Sequence, residues 1–275
     1  MIFMNRGIAM IISTALLVLV YFQTILWLTG SWIYNTYYSH GFIVLAVSVF
    51  IAYRTFTGQK IEFYSVDVRG IYIIAISLFV HILASFWVID FLSAVSFLTA
   101  FFGLVMTFYG SDVSKKLAFP IFFILLAIPL PIYDITTELE VLSAFATTSF
   151  VNLFGIEANN IGAEIRLKSC NFIVGAPCSG IRSIVSLLTI GTLYSYLIRD
   201  RLWLKALLII LAVPLALIAN VLRISSIIVI AELYGVETAM GFFHYASDLI
   251  LFIIAVVMLL LSRRCIRWLT SKRSF

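Results

Sequence analysis

A thiol, two guanidinium groups and an imidazole stand out against an apolar background. Cys178 and Ser179 sit in APCSGIRS (176–183), with Arg182 four residues beyond the cysteine. Asn220 and Arg223 lie three apart in NVLRIS (220–225), and His244 ends FFH (242–244). Pro177 suits the first position of a helix, where its missing N–H is not needed. The sequence therefore predicts a helix from Pro177, with Cys178 and Ser179 in its first turn. A helix N-terminus favours a thiolate, the nucleophilic form of cysteine. Arg182, at i+4 on the same face, adds to that effect and should lower the Cys178 pKa. Gly180 leaves room on the adjoining face for another backbone or a substrate. Asn220 and Arg223 share a face, and Arg223 can hold an oxyanion or a carboxylate. His244 titrates near neutral pH and suits general acid–base work.

Each residue also has an inert reading. A lone cysteine in a membrane helix is ordinarily a small hydrophobe, and Cys170 could pair with Cys178 in an oxidising compartment. An arginine near a helix end can snorkel to the interface, and a histidine there can simply be solvated. The choice between these depends on the elements that carry the residues.

Of the 275 residues, 63% are hydrophobic and 11% charged, and the mean hydropathy is +1.13. A soluble domain is about 45–50% apolar and about 25% charged. The apolar runs approach twenty residues without alternation, which specifies an all-α integral membrane protein. Eight transmembrane helices are expected, over 8–28, 41–55, 71–89, 91–109, 117–131, 178–198, 203–222 and 245–262. The first is too long for a cleaved signal and reads as a retained anchor. With the N-terminus in the cytoplasm, most basic residues fall inside, including Arg6, Arg54, Lys115, Arg199 and the Arg263–Arg273 tail, as the positive-inside rule requires. The exceptions are Arg166, Lys168, Arg182 and Arg223, all on the outer side. A charge at membrane depth usually faces a protein interior or a wet cavity.

The long outer loop, 132–176, divides into an amphipathic helix lying on the membrane and a small β-hairpin. The segment 223–244 has too short an apolar stretch to cross and reads as a re-entrant or interfacial helix. No repeat or linker divides the chain, so 1–275 reads as a single domain. The net charge of +5 is a topology signal rather than a nucleic-acid footprint. Three cysteines make no disulfide framework. Neither zinc-ligand spacing nor a phosphate-binding glycine loop is present, so no metal or cofactor is expected. Cys178, Arg223 and His244 thus fall at one depth on one face, a covalent-catalysis constellation. His40, in YYSHG, shares that side, whereas His81 lies mid-span and reads as hydrogen-bonded packing.

At these residues the chain resembles the exosortases and archaeosortases, multi-pass membrane cysteine transpeptidases. APCSGIRS is similar to their cysteine motif, ANVLRI to the arginine motif and FFH to the histidine motif, in the same order and spacing. YSHG, IPLP (128–131) and NNIGAEI (159–165) add weaker agreement, so the likeness covers about residues 35–250. It implies Cys178 as nucleophile, Arg223 as electrostatic stabiliser and His244 as acid/base; the residues themselves add Arg182, Asn220, Ser179 and His40 as supporting positions. It implies as substrate a surface protein with a C-terminal sorting signal: a short motif, a transmembrane helix and a basic tail. A thioacyl-enzyme would then pass to an acceptor, lipid or polysaccharide, at the outer face of the cell (inner) membrane. An intramembrane cysteine protease with water as acceptor shares the first half-reaction. A polytopic transporter would use Arg182, Arg223 and Asp248 for substrate or ions, although no inverted repeat is found. A scaffold subunit of an export complex would have no use for the thiol. A rhomboid-like serine protease is disfavoured, because no Gly-x-Ser-Gly element is present.

Overall fold

The computed structural model describes residues 2–58, 67–131, 133–168, 170–175 and 178–271. The side chains of residues 2–6, 133, 134, 242, 244, 245 and 269–271 also lie outside the described set. The protein is an all-α membrane protein with one small sheet. Among the described residues, four helices are long and apolar enough to cross a membrane, or five if one bent pair counts as a single span. The chain forms two compact units, Met1–Pro131 and Ile132–Phe275.

In the first unit, α1 (Ile2–Val20) and α2 (Phe22–Tyr34) meet at 70° across Tyr21. The expected straight span over 8–28 is therefore broken. No glycine or proline causes the break; tertiary contacts do. Tyr21 is fully buried, its ring lies 4.0 Å from that of His81, and its hydroxyl donates to the Ser77 carbonyl at 3.3 Å. His81 hydrogen-bonds the backbone of Val20, which meets the need of a helix end inside an apolar layer.

After α3 (Gly41–Thr57) and α4 (Val68–Phe86), α5 (Asp90–Phe123) folds back on itself at Gly110. That residue adopts φ 80°, a conformation that glycine takes at little steric cost. The Phe102 and Phe122 rings stand 5.3 Å apart. A straight helix would separate them by about 30 Å, so the arms 90–109 and 111–123 run side by side. The separate runs expected over 91–109 and 117–131 correspond to these two arms, the second ending in a 3-10 turn, Ile124–Ala127. α4 packs closely on α5 where Gly70 faces Gly103, and a Cβ on Gly103 would come within 2.9 Å of the Gly70 carbonyl.

The second unit opens with α6 (Tyr133–Leu153), the amphipathic helix expected from the loop. Ser143, Ala144, Thr147, Thr148 and Val151 are buried on one side, while Leu142 and Phe145 are exposed on the other. The expected hairpin is present and gains a third strand. β1 (Ala158–Ile161), β2 (Glu164–Leu167) and β3 (Asn171–Ile173) form an antiparallel sheet in that order. α7 (Ile181–Leu197) follows, then α8 (Leu202–Tyr234), a one-turn α9 (Val236–Thr238), a π-turn (Ala239–Phe243) and α10 (His244–Ser271).

α8 overturns the re-entrant reading of 223–244. The helix runs unbroken from Leu202 through Arg223 to Tyr234 and stops at Gly235. Ile224 and Ile228 are buried against Ala144, Val151, Ala158 and Ile165, so the helix continues because α6 and the sheet cover its next apolar turns. Lower on α8, Ala212, Ala216 and Ala219 form a small-residue stripe. It joins Ile184 and Leu187 of α7 and Ala255 and Leu259 of α10 in one core.

Candidate functional site

β3 leads directly into the cysteine loop. Val174 N–H donates to Ala163 O at 2.9 Å, Gly175 N–H to Ile173 O at 3.0 Å, and Cys178 N–H to Gly175 O at 2.7 Å. The chain then turns through Gly180, whose φ is 86°. Two causes require glycine there. The left-handed conformation is one. The other is crowding, because a Cβ would approach Asn220 Nδ2 at 3.1 Å and Asn220 Cβ at 3.3 Å.

α7 begins at Ile181 rather than at Pro177. Cys178 and Ser179 therefore precede the helix instead of occupying its first turn, and Cys178 shares no helix face with Arg182. The reason is the left-handed Gly180, which forms the helix N-cap and sets the earlier residues off the helical path. Ser179 Oγ instead accepts the Ile181 N–H at 3.4 Å, one of the orphan donors at the helix start.

Two helices grip the loop. Asn220 Nδ2, on α8, donates to the Cys178 carbonyl at 2.8 Å and to Ser143 Oγ at 3.2 Å. Ser143 Oγ, on α6, donates to the Ser179 carbonyl at 3.2 Å. Asn220 and Ser143 are both buried, at 2% exposure each. Cys178 is half-buried and packs against the cluster of Ala144, Val174, Ile224 and Ile228. No disulfide involves Cys170, Cys178 or Cys265.

One turn along α8 from Asn220 lies Arg223, 7% exposed. Its Nε stands 3.7 Å from Asp248 Oδ1, and Arg182 Nη1 stands 3.6 Å from Asp248 Oδ2. One carboxylate on α10 thus bridges a buried guanidinium and a half-exposed one. His244 is the first residue of α10, one turn before Asp248; its side chain lies outside the described residues. His40 belongs to the first unit, where it precedes α3 and stacks on Tyr38 with ring centroids 6.1 Å apart. Tyr38 also accepts the Leu130 N–H at 3.1 Å, which ties the YSHG stretch to IPLP.

Ser143 and Asp248 are the contributors that sequence reasoning undervalued. Ser143 is one of several small hydroxyl residues in LSAFATTS, with nothing to single it out. Asp248 had a usable signal: it is an acid in an apolar span, four residues after His244. Among the described residues, no group of three His, Cys, Asp or Glu side chains could hold a metal ion.

A family model described as "Transmembrane exosortase (Exosortase_EpsH)" matches residues 27–261. No curated protein and no solved structure matches the chain. The match takes in the cysteine loop, Asn220 and Arg223 on α8 and the start of α10, and so most of both compact units: this chain belongs to the transmembrane exosortase family, membrane transpeptidases of protein sorting.

Proposed function

We propose that the protein cleaves C-terminal sorting signals through a Cys178 thioester and transfers the new carboxyl terminus to an acceptor. One observation carries the reading. The Cys178 loop is fixed by Asn220, one helical turn from the buried Arg223, and Arg223 faces a carboxylate one turn after His244. In the proposed reaction Cys178 Sγ attacks the scissile carbonyl while His244 takes the thiol proton. Arg223 stabilises the oxyanion. The C–N bond then breaks, His244 returns the proton to the departing amine, and the tail leaves. An acceptor nucleophile gives its proton to His244, attacks the thioester and frees the thiolate, which recovers the proton.

The membrane arrangement belongs to the same proposal. α1, α3, α4, the two arms of α5, α7, α8 and α10 are the eight crossings, with both termini cytoplasmic. α6 and the sheet lie on the extracytoplasmic side of the cell (inner) membrane with the site. A substrate whose own helix sits in the bilayer presents its outer junction at that depth. Its basic tail remains cytoplasmic, held there by the same rule that orients this chain.

The test is co-expression with reporters carrying a tail library: a randomised segment, an apolar helix of about twenty residues and a Lys/Arg end. Mass spectrometry should find a shortened reporter joined to an acceptor with the wild-type chain, and intact reporter with Cys178→Ala at equal membrane abundance. Normal processing by Cys178→Ala ends the proposal. A shortened reporter bearing a plain carboxylate means that water is the acceptor.

A further inference from the structure

The two edges of the small sheet are treated differently. Leu167 N–H donates to Cys170 O and Val174 N–H to Ala163 O, each at 2.9 Å. With Ile165 opposite Phe172, this register fixes which β3 residues bond to β2. Hydrogen-bonded pairs alternate along an antiparallel ladder, so Phe172 turns its N–H and C=O towards β2. Asn171 and Ile173 turn theirs away, towards the edge of the sheet.

The opposite edge is capped at the start of β1, while Asn160, which the same register also turns outward, has no backbone hydrogen-bond partner among the described residues. The same alternation points Ala158 outward from β1, and the Asn152 side chain covers it from both sides. Asn152 Oδ1 accepts the Ala158 N–H at 2.9 Å, and Nδ2 donates to the Ala158 carbonyl at 3.0 Å. On the β3 edge, among the described residues, only the Ile173 carbonyl is engaged, by the Gly175 N–H. The Asn171 N–H, the Asn171 C=O and the Ile173 N–H have no hydrogen-bond partner among the described residues. No Lys or Pro guards this strand, the usual protection for an exposed edge, and Ile173 is 78% exposed.

Chain continuity indicates what this edge is for. β3 ends five residues before Cys178, a reach of at most about 18 Å, and the turns through Gly175 shorten it. Phe172, on the inner face of β3, and Cys178 pack against the same apolar cluster. A partner strand laid along β3 would therefore run beside the thiol.

We infer that the open edge of β3 binds the segment preceding the scissile bond as a fourth, antiparallel or parallel strand, delivering its carbonyl to Cys178. This rests on the proposed transpeptidase reading and adds the mode of substrate recognition. Main-chain pairing supplies the affinity in such strand addition, and pockets for alternate side chains supply the specificity. Here exposed Ile173 offers one apolar contact beside the added strand.

The experiment uses the full chain in membranes and a tail that the wild type cleaves. Ile173→Pro removes an edge-facing N–H and no bond to β2, and edge strands accept proline at such a position. Loss of one ladder bond and the fit around it should cut kcat/KM for that tail by about tenfold. Ile173→Thr, which keeps the N–H, should stay within about threefold. In the reciprocal arm, proline is placed in turn at each of the residues preceding the scissile bond in the tail. A paired strand tolerates proline at alternate positions only.

Ile173→Pro activity within threefold of wild type overturns the inference, and so does a proline scan without a period of two. If Ile173→Pro fails to reach the membrane, the scan alone decides. A wild-type chain that cleaves no tail sinks the transpeptidase proposal itself, and that result is read before any variant.

Discussion

The two compact units both bury polar side chains among apolar helices, but they do so in different ways. In the first unit most of these groups are joined to one another, although Ser48 Oγ is buried there with no hydrogen-bond partner among the described residues. Thr24 and Ser93 share a hydrogen bond of 2.6 Å, Ser93 meets His81 Nδ1 at 2.8 Å, Ser96 donates to the Tyr21 hydroxyl at 3.1 Å, and Ser77 meets Thr99 at 2.9 Å. In the second unit the buried Arg223 meets the partly exposed Asp248, which also faces the exposed Arg182, at ion-pair distances beyond good hydrogen bonds. Thr147 Oγ1, Thr148 Oγ1, Asn220 Oδ1 and Ser225 Oγ are buried there with no hydrogen-bond partner among the described residues. A buried polar group that is satisfied serves packing; one that is charged or short of partners costs stability and calls for a functional reason. On that reasoning His81 serves packing even though it is an ionisable residue in a membrane helix, whereas Asn220 and Arg223 are the candidates for the proposed function.

The largest effect expected from this contrast is at Arg223. Lysine keeps the charge but not the planar fork. Arg223→Lys should lower the rate of tail cleavage by about 10²–10³, the usual cost of one oxyanion donor. Raising the pH generates thiolate, so it would repair a defect in Cys178 ionisation but not a missing donor. A full recovery of Arg223→Lys at high pH, in initial rates measured against pH, would reassign this residue to thiol activation.

Asn220 comes next. Asn220→Ala removes the only side-chain donor to the Cys178 carbonyl among the described residues and opens space against Gly180. Loss of about one hydrogen bond's worth of positioning predicts roughly a tenfold fall in kcat with little change in KM. Ser143→Ala, which leaves the Asn220 to Cys178 bond in place, should cost less. If KM rises and kcat holds, the pair contacts substrate rather than the loop.

These particulars show what was legible in the sequence. Cys178 and Arg223 stand out as candidates in the sequence because a thiol beside Gly-Ile-Arg and a cation on the side expected to be outer are costly in a greasy chain. The fold-back within α5 was visible as two apolar runs separated by Asp112, Lys115 and Lys116. The start of α7 was not, because Pro177 is a strong local signal for a helix start and Gly180 overrides it through contact with a helix forty residues away. The break at Tyr21 and the extension of α8 past Arg223 have the same origin. A tyrosine breaks no helix by propensity, and ISSIIVIA reads as short only until α6 and the sheet cover it. Ser143 acquires its part from two partners distant in sequence.

His81 tests the other half of the contrast. His81→Phe keeps ring volume against Tyr21 but loses the bonds to Ser93 and to the Val20 backbone. Hydrogen bonds between membrane helices average about 0.6 kcal/mol, so the loss should be about 1 kcal/mol in stability. The turnover of each surviving molecule should be unchanged. Thermal unfolding in detergent and activity per folded molecule separate the two, and a loss of turnover with unchanged stability would place His81 among the functional groups.

The smallest effect is expected at Arg182, and the reason is exposure. Its side chain is 51% exposed and lies 3.6 Å from Asp248, whose side chain is 36% exposed. Water screens such a pair, and exposed ion pairs contribute about 0–1 kcal/mol. Arg182 also sits on α7 while Cys178 precedes that helix, so the shared-face route to the thiol is absent. What remains is a positive charge that balances Asp248, and lysine supplies it. Arg182→Lys should therefore cleave the tail within about threefold of wild type across the pH range in which Arg223→Lys stays defective. The same guanidinium-to-ammonium change is thus made on two partners of one carboxylate, one buried and one half-exposed, and only the buried site should need the fork. If Arg182→Lys is dead at every pH while Arg223→Lys works, then burial does not separate the functional arginine from the balancing one, and the two roles must be exchanged.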